Sequence, residues 1–315
     1  MTQEQIRGVG VALVTPFDKN HEIDFVSFKK LLEHTAAIGV DYWVVQGTTG
    51  ESPTTTLEEK NKLLAFCKEN NPKNLPIVYG IGGNNTAQIL EIIKQTDFSG
   101  VTAVLSASPY YNKPSQAGII AHYEKIADAS PVPIILYNVP GRTASNLTAQ
   151  TTLHLAQHPN IVAIKEASGN LLQCMEIAKH KPKDFLLISG DDMLTVPMIS
   201  FGAEGVISVM ANAFEAFNEM SHLALEGKFR EASQKMFSLL SLNELMYVEG
   251  NPVGIKQALA LMGVCSEEVR LPLLKASDAL KHKIQYQLSI INYQCSLFIV
   301  HYSLFIVHCS LNIVH

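Results

Sequence analysis

Residues 161–170 read Ile161-Val162-Ala163-Ile164-Lys165-Glu166-Ala167-Ser168-Gly169-Asn170. Four consecutive apolar residues suit a strand buried on both faces, as in a parallel sheet, and the lysine closes it. A lysine at the end of such a strand is partly desolvated, which disfavours the ammonium form. A neutral amine near pH 7 attacks ketones and forms a Schiff base. The alternative reading is a solvated lysine at a strand exit. Seven further runs have the same character: Val9–Val14, Tyr42–Val45, Ile77–Ile81, Val101–Leu105, Ile134–Tyr137, Phe185–Ile188 and Val206–Val209.

Amphipathic stretches separate the runs. Phe28, Leu31, Leu32 and Thr35 form a stripe after Asp24, a helix N-cap by type. Thr56 and Glu59 form a capping box before Leu63, Leu64 and Cys67. Ile89, Ile92 and Ile93 make a further stripe, as do Ile119, Ile120, Tyr123 and Ile126. Eight strand–helix units spaced roughly 20–34 residues apart predict an α/β fold, a (β/α)8 barrel over 1–223 that carries the chemistry. The rival is a doubly wound open sheet, and the missing GxGxxG in the first βα turn weakens its dinucleotide-binding form. After Asn212 the periodicity predicts helices over Phe214–Gly227, Phe229–Val248, Pro252–Met262 and Leu271–Ile284, a C-terminal helical appendage over 224–288 suited to assembly.

The stretch 289–315 differs. From Cys295 a seven-residue unit occurs three times: Cys-Ser-Leu-Phe-Ile-Val-His, Tyr-Ser-Leu-Phe-Ile-Val-His and Cys-Ser-Leu-Asn-Ile-Val-His. Clustered apolar positions without charge do not make a coiled coil. Histidines and the lack of flanking charge argue against a membrane anchor. The expected origin is a short DNA repeat translated past the end of the domain, so 289–315 is expected not to be part of the fold. Such a segment is aggregation-prone if exposed.

The chain has 315 residues, 47% hydrophobic and 17% charged, with a formal net charge of −5. Low charge suits a large core or a homo-oligomer that buries surface, and mild acidity without Lys/Arg runs argues against nucleic acid. Five cysteines without a CxxC pair suit a reducing, cytoplasmic chain, and the polar N-terminus does not read as a signal peptide.

In a barrel, chemistry sits where strands end. After the second run comes Gln46-Gly47-Thr48-Thr49-Gly50-Glu51-Ser52, whose hydroxyls and backbone N–H groups suit a carboxylate. After the fourth comes Ser108-Pro109-Tyr110-Tyr111-Asn112-Lys113-Pro114, and after the fifth Tyr137-Asn138-Val139-Pro140-Gly141-Arg142-Thr143. Imine chemistry needs a proton donor and acceptor, which a tyrosine near the lysine supplies, and an arginine clamps a carboxylate in bidentate fashion. Taken singly, such tyrosines are usually packing and such arginines usually solvated.

The phrases GTTGES (47–52), SPYYNKPSQ (108–116), YNVPGRT (137–143), IKEASGN (164–170) and SGDD (189–192) stand in order. In them the chain resembles the N-acetylneuraminate lyase/dihydrodipicolinate synthase family of class I pyruvate aldolases, over roughly residues 6–285. The resemblance implies that Lys165 forms the imine with pyruvate and that Tyr137 moves protons at it. It implies that Thr48 links Tyr137 to Tyr111, which crosses a dimer interface into the neighbour's site. It implies further that Thr49 holds the pyruvate carboxylate, that Arg142 binds the carboxylate of L-aspartate 4-semialdehyde, and that Gly190 and Ile207 line the pocket. The implied product is (4S)-4-hydroxy-2,3,4,5-tetrahydrodipicolinate, on the route to diaminopimelate and lysine. No cofactor, metal or membrane is implied, and the assembly the resemblance implies is a homotetramer built as a dimer of dimers.

Thr48-Thr49 in place of Ser-Thr, together with Arg142, separates the chain from the sialic acid lyases of the family. Other pyruvate aldolases, of N-acetylneuraminate or a 2-keto-3-deoxy sugar acid, are the alternatives, with a catalytically silent keto-acid-binding regulator as a third. A possible allosteric lysine site at Ser52, Asn84 and Tyr110 is present in part: Leu57, Lys60 and Gln88 replace the histidine and acidic residues expected there, which argues against lysine feedback. Gly254 stands where the family often has proline.

Overall fold

All eight apolar runs become strands: β1 (Gly8–Ala12), β2 (Tyr42–Val45), β3 (Ile77–Gly80), β4 (Ala103–Ala107), β5 (Ile134–Asn138), β6 (Ile161–Glu166), β7 (Leu186–Ser189) and β8 (Gly205–Ser208). The structure is a computed structural model that describes residues 2–290. Each strand pairs in parallel with the next, and β8 pairs with β1, so the sheet closes. This is the expected (β/α)8 barrel, and closure excludes the open-sheet rival.

Alternation along the strands separates two cores. Ala12, Val44, Val78, Ala103, Ile135, Ala163, Ile188 and Ile207 pack inside the barrel. Val11, Trp43, Ile77, Val104, Leu136, Ile164, Leu187 and Val206 pack outward with the helices. Because side chains alternate with a period of two, Lys165 shares the inward parity of Ala163, and Glu166 the outward parity of Ile164. Gly80 shows how closely the ends are packed: a Cβ there would lie 2.2 Å from the Gln46 carbonyl oxygen.

The expected caps form. Asp24 accepts from the Ser27 N–H ahead of helix Phe25–Ala37, and the Thr56/Glu59 capping box opens helix Leu57–Glu69. Helix Phe25–Ala37 buries Phe28, Leu31 and Leu32, each contributing about 1.5–3 kcal/mol by burial. The fourth strand starts at Ala103 rather than Val101, because Val101 closes a turn onto the Phe98 carbonyl.

Helix Glu215–Leu225 packs on β1 and β8, so the domain boundary expected at 223 falls inside it. Helices Phe229–Leu245 and Val253–Leu261 follow. The helix expected from Leu271 begins only at 278. Ser277 is the reason: its carbonyl accepts from the Lys281 N–H and its hydroxyl accepts from the Leu280 N–H, while Glu249 anchors the Ser277 N–H at 2.9 Å. Residues 289 and 290 of the expected tail continue this helix; the heptapeptide repeat lies outside the described residues. No described helix is long and apolar enough to cross a membrane.

Candidate active site

Lys165 is 5% exposed, inside the barrel at the end of β6. Its register partner on β5 is Tyr137, so the two side chains emerge side by side on the same face. The Lys165 amine stands 4.3 Å from the Tyr137 ring centroid.

The next register pair, Asn138 and Glu166, points the other way and locks the two strand ends. Glu166 is 1% exposed, yet every contact satisfies it. Its carboxylate accepts from Asn138 Nδ2 at 2.9 and 3.1 Å, from the Ser168 N–H at 2.7 Å and from Gln173 Nε2 at 3.0 Å. Asn138 Oδ1 in turn accepts from the Leu147 N–H at 3.0 Å. A slip by one residue would turn Lys165 out of the barrel, and this buried network opposes it. Sequence reasoning did not assign Asn138 or Glu166; the available signal was their place, each directly after a candidate catalytic residue.

Gly190, after β7, leaves the space that Lys165 occupies. A Cβ at Gly190 would lie 2.7 Å from the Ala167 Cβ and 3.0 Å from both Cγ and Cε of Lys165. Ile207 on β8 is buried in the inner core.

The loop after β2 is tightly wound, with Gln46 and Glu51 in the left-handed region at φ 63° and 54°. Gln46 steadies it, accepting from the Thr55 hydroxyl at 2.7 Å and donating to Thr15 at 3.1 Å. Thr49 is 2% exposed and accepts from Asn251 Nδ2 at 3.0 Å. Glu51 is buried against Lys256, whose Nζ lies 2.5 Å from its carboxylate. Thr48 is half-buried. In the turn that follows β7, buried Asp192 accepts from the Met210 N–H at 3.0 Å and from the Tyr247 hydroxyl at 3.1 Å. Burial raises its carboxyl above the usual carboxylate range. Asn251, Asp192 and Tyr247 were not assigned from sequence.

A cavity of about 730 Å³ opens beside these residues, walled by Thr48, Tyr137, Val139 and Arg142. Lys165 is not among its lining residues, but Tyr137, whose ring centroid lies 4.3 Å from the Lys165 amine, is. Arg142 is exposed and makes no ion pair among the described residues. The same cavity runs on to Ser52, Leu57, Lys60, Asn84, Gln88 and Tyr110, so the candidate allosteric positions share it with the catalytic wall. Asn84 ties the tyrosine loop down by donating to the Tyr110 carbonyl at 3.1 Å. Tyr111 is not brought in: it is 87% exposed with φ 71°, and no hydrogen bond among the described residues joins Thr48 to Tyr111 or Tyr137.

The sequence profile described as the Dihydrodipicolinate synthetase family matches residues 5–291. The chain belongs to this family. A relative from Cytophaga hutchinsonii, a 4-hydroxy-tetrahydrodipicolinate synthase, is 53% identical over 279 residues, covering 88% of this chain and 94% of the relative. A synthase of the same name from Flavobacterium psychrophilum is 46% identical, covering 88% and 95%. Among solved structures, dihydrodipicolinate synthase from Aquifex aeolicus superposes with a TM-score of 0.87 at 37% identity, covering 91% of this chain and 98% of that one. The Thermotoga maritima enzyme gives 0.87 at 36%, covering 90% and 98%. The family resemblance read from the five phrases is thereby borne out. The network at Asn138 and Glu166 is how this member of the dihydrodipicolinate synthetase family keeps its strand-end lysine turned inward.

Proposed function

We propose that this family member condenses pyruvate with L-aspartate 4-semialdehyde to give (4S)-4-hydroxy-2,3,4,5-tetrahydrodipicolinate. The observation that carries this is the buried Lys165 beside Tyr137, which lines one cavity together with Thr48 and Arg142. The Lys165 amine attacks C2 of pyruvate. Tyr137 hands a proton to the departing hydroxyl, water leaves and the imine forms. Loss of a proton from C3 gives an enamine, whose C3 attacks the aldehyde carbon, and the new alkoxide takes up a proton. The substrate's amino group then adds to C2 and displaces Lys165, closing the ring and freeing the enzyme.

Thr49 holds the pyruvate carboxylate in this reading, and Arg142 at the mouth takes the carboxylate of the second substrate. A charge-assisted bidentate pair of that kind contributes about 1.5–3 kcal/mol, enough to choose between aldehydes. Tyr111 works in trans: an exposed tyrosine in a left-handed backbone conformation suits a residue ordered for a partner copy, so the active form is at least a dimer, in the cytoplasm. Lysine feedback is disfavoured in this reading: Lys60 lines the far end of the cavity, and its charge opposes a cationic ligand.

Borohydride reduction in the presence of pyruvate, with the adduct located by mass spectrometry, tests the imine; no adduct at Lys165 refutes the reading. A coupled assay that compares aspartate semialdehyde with N-acetylneuraminate then tests the substrate. Turnover of the sugar acid alone would assign the chain to the lyases.

A further inference from the structure

The C-terminal region reaches back across the chain and grips the loop after β2 at two points. Asn251 Nδ2 donates to Thr49 Oγ1 over 3.0 Å. Two residues on, Glu51 accepts from Lys256 Nζ at 2.5 Å and from the Arg270 N–H at 3.0 Å. Lys256 is fully buried and also donates to the Glu268 carbonyl at 2.7 Å. The Lys256–Glu51 pair is an anchor: it fixes where the loop lies. The contact at Thr49 is of another kind, because its acceptor is a hydroxyl that has a proton of its own to place.

We infer that Asn251 is a positioning residue for the carboxylate site: by donating to Thr49 Oγ1 it aims the Thr49 proton at the substrate carboxylate. The inference rests on the reading of Thr49 as a carboxylate binder. A hydroxyl offers one donor and two acceptor lone pairs, and a carboxylate only accepts. A hydroxyl free to turn can spend its proton on any nearby carbonyl. Once a lone pair is committed to an amide N–H, the proton is confined to the remaining directions. Thr49 is 2% exposed and Asn251 is 7% exposed, so water competes little at either. Asn251 Oδ1 is also buried and has no partner among the described residues. Such unspent buried acceptors are uncommon and call for a role beyond packing. The arrangement makes a segment more than 200 residues away in sequence part of the site.

Polarity gives the test. Asn251→Asp keeps the shape, and its ionised carboxylate can only accept, so the Thr49 proton turns towards it and away from substrate. In the full-length enzyme the KM for pyruvate is expected to rise about tenfold or more in Asn251→Asp and about fivefold in Asn251→Ala. The KM for aspartate semialdehyde should stay within about twofold, and the thermal midpoint of Asn251→Asp should lie within about 4 °C of wild type. Thr49→Val is measured alongside, and Thr49→Val/Asn251→Ala should be no worse than Thr49→Val alone. If Thr49→Val raises the pyruvate KM while Asn251→Asp binds pyruvate like wild type, or if the two losses add, the inference is overturned. If Thr49→Val leaves the pyruvate KM untouched, the reading of Thr49 has failed and the inference falls with it. Should Asn251→Ala not fold, Asn251→Asp against Thr49→Val still decides.

Discussion

Gly190→Ala tests the site through the space around its central amine. The added methyl would lie 2.7 Å from the Ala167 Cβ and 3.0 Å from Cγ and Cε of Lys165. Ordinary carbon–carbon contact begins near 3.5 Å, so neighbours must retreat by about 0.5–0.8 Å in all. Ala167 sits on backbone that donates to the Asn138 carbonyl at 2.8 Å and yields little, which leaves the Lys165 side chain to move. Overpacking of this kind costs about 1–3 kcal/mol of stability. Displacing a reacting group by up to about 1 Å costs as much as 100-fold in rate. We therefore expect kcat to fall about 10- to 100-fold and the protein to stay folded. The rate of borohydride-trappable imine, followed by mass spectrometry after mixing with pyruvate, reads the displacement directly. Trapping at the wild-type rate, in a variant whose unfolding curve confirms the fold, would refute the claim that Gly190 is there to make room for the lysine.

Lys256→Met strands a buried Glu51 carboxylate and should destabilise by about 3–5 kcal/mol in urea unfolding; Glu51→Gln/Lys256→Met should recover part of that, and no recovery would count against the pairing. Arg270, bonded twice to Glu59 at 2.9 and 2.6 Å, holds that carboxyl down at about 2 from an ordinary 4.5. The depressed value means the stabilisation is present above pH 4.5 and lost as pH falls towards 2, so Arg270→Gln should lose stability at neutral pH and show a flatter acid limb, checked by unfolding midpoints across that range. His222 is raised above its usual 6.5 by Asp41, 2.9 Å away, helped by Glu226; that contribution is full below pH 6.5 and lost as pH rises through the raised value, so His222→Gln should flatten the alkaline side. Arg142→Leu should raise the KM for aspartate semialdehyde about 10- to 100-fold with a much smaller effect on pyruvate; equal changes in both would place the arginine elsewhere in the reaction.

Lys165 was legible as a strand-end lysine because an apolar run of four predicts the strand and the residue after it marks the end. Its inward direction was not, since that depends on register: Ala163 faces the barrel interior only because β6 pairs as it does with β5 and β7. Thr56 and Glu59 announced their helix, because a capping box is satisfied within three residues. The helix expected from Leu271 started late because its stop and start signals involve Glu249, far back in the chain. Asn251 escaped for the same reason: an asparagine before a proline reads as a turn until the fold sets it against Thr49.

The sequence alone determined the eight-strand repeat, the family and the residue types the chemistry needs, because these rest on local periodicity and on contiguous phrases. Tertiary structure decided which side chains share a space. Barrel closure set Lys165 beside Tyr137, the missing side chain at Gly190 left room for the Lys165 methylenes, and the returning C-terminal segment brought Asn251 and Lys256 onto the loop of Thr49 and Glu51. Contacts across about 200 residues leave no periodic trace along the chain, and only the folded backbone brings such residues within hydrogen-bonding distance.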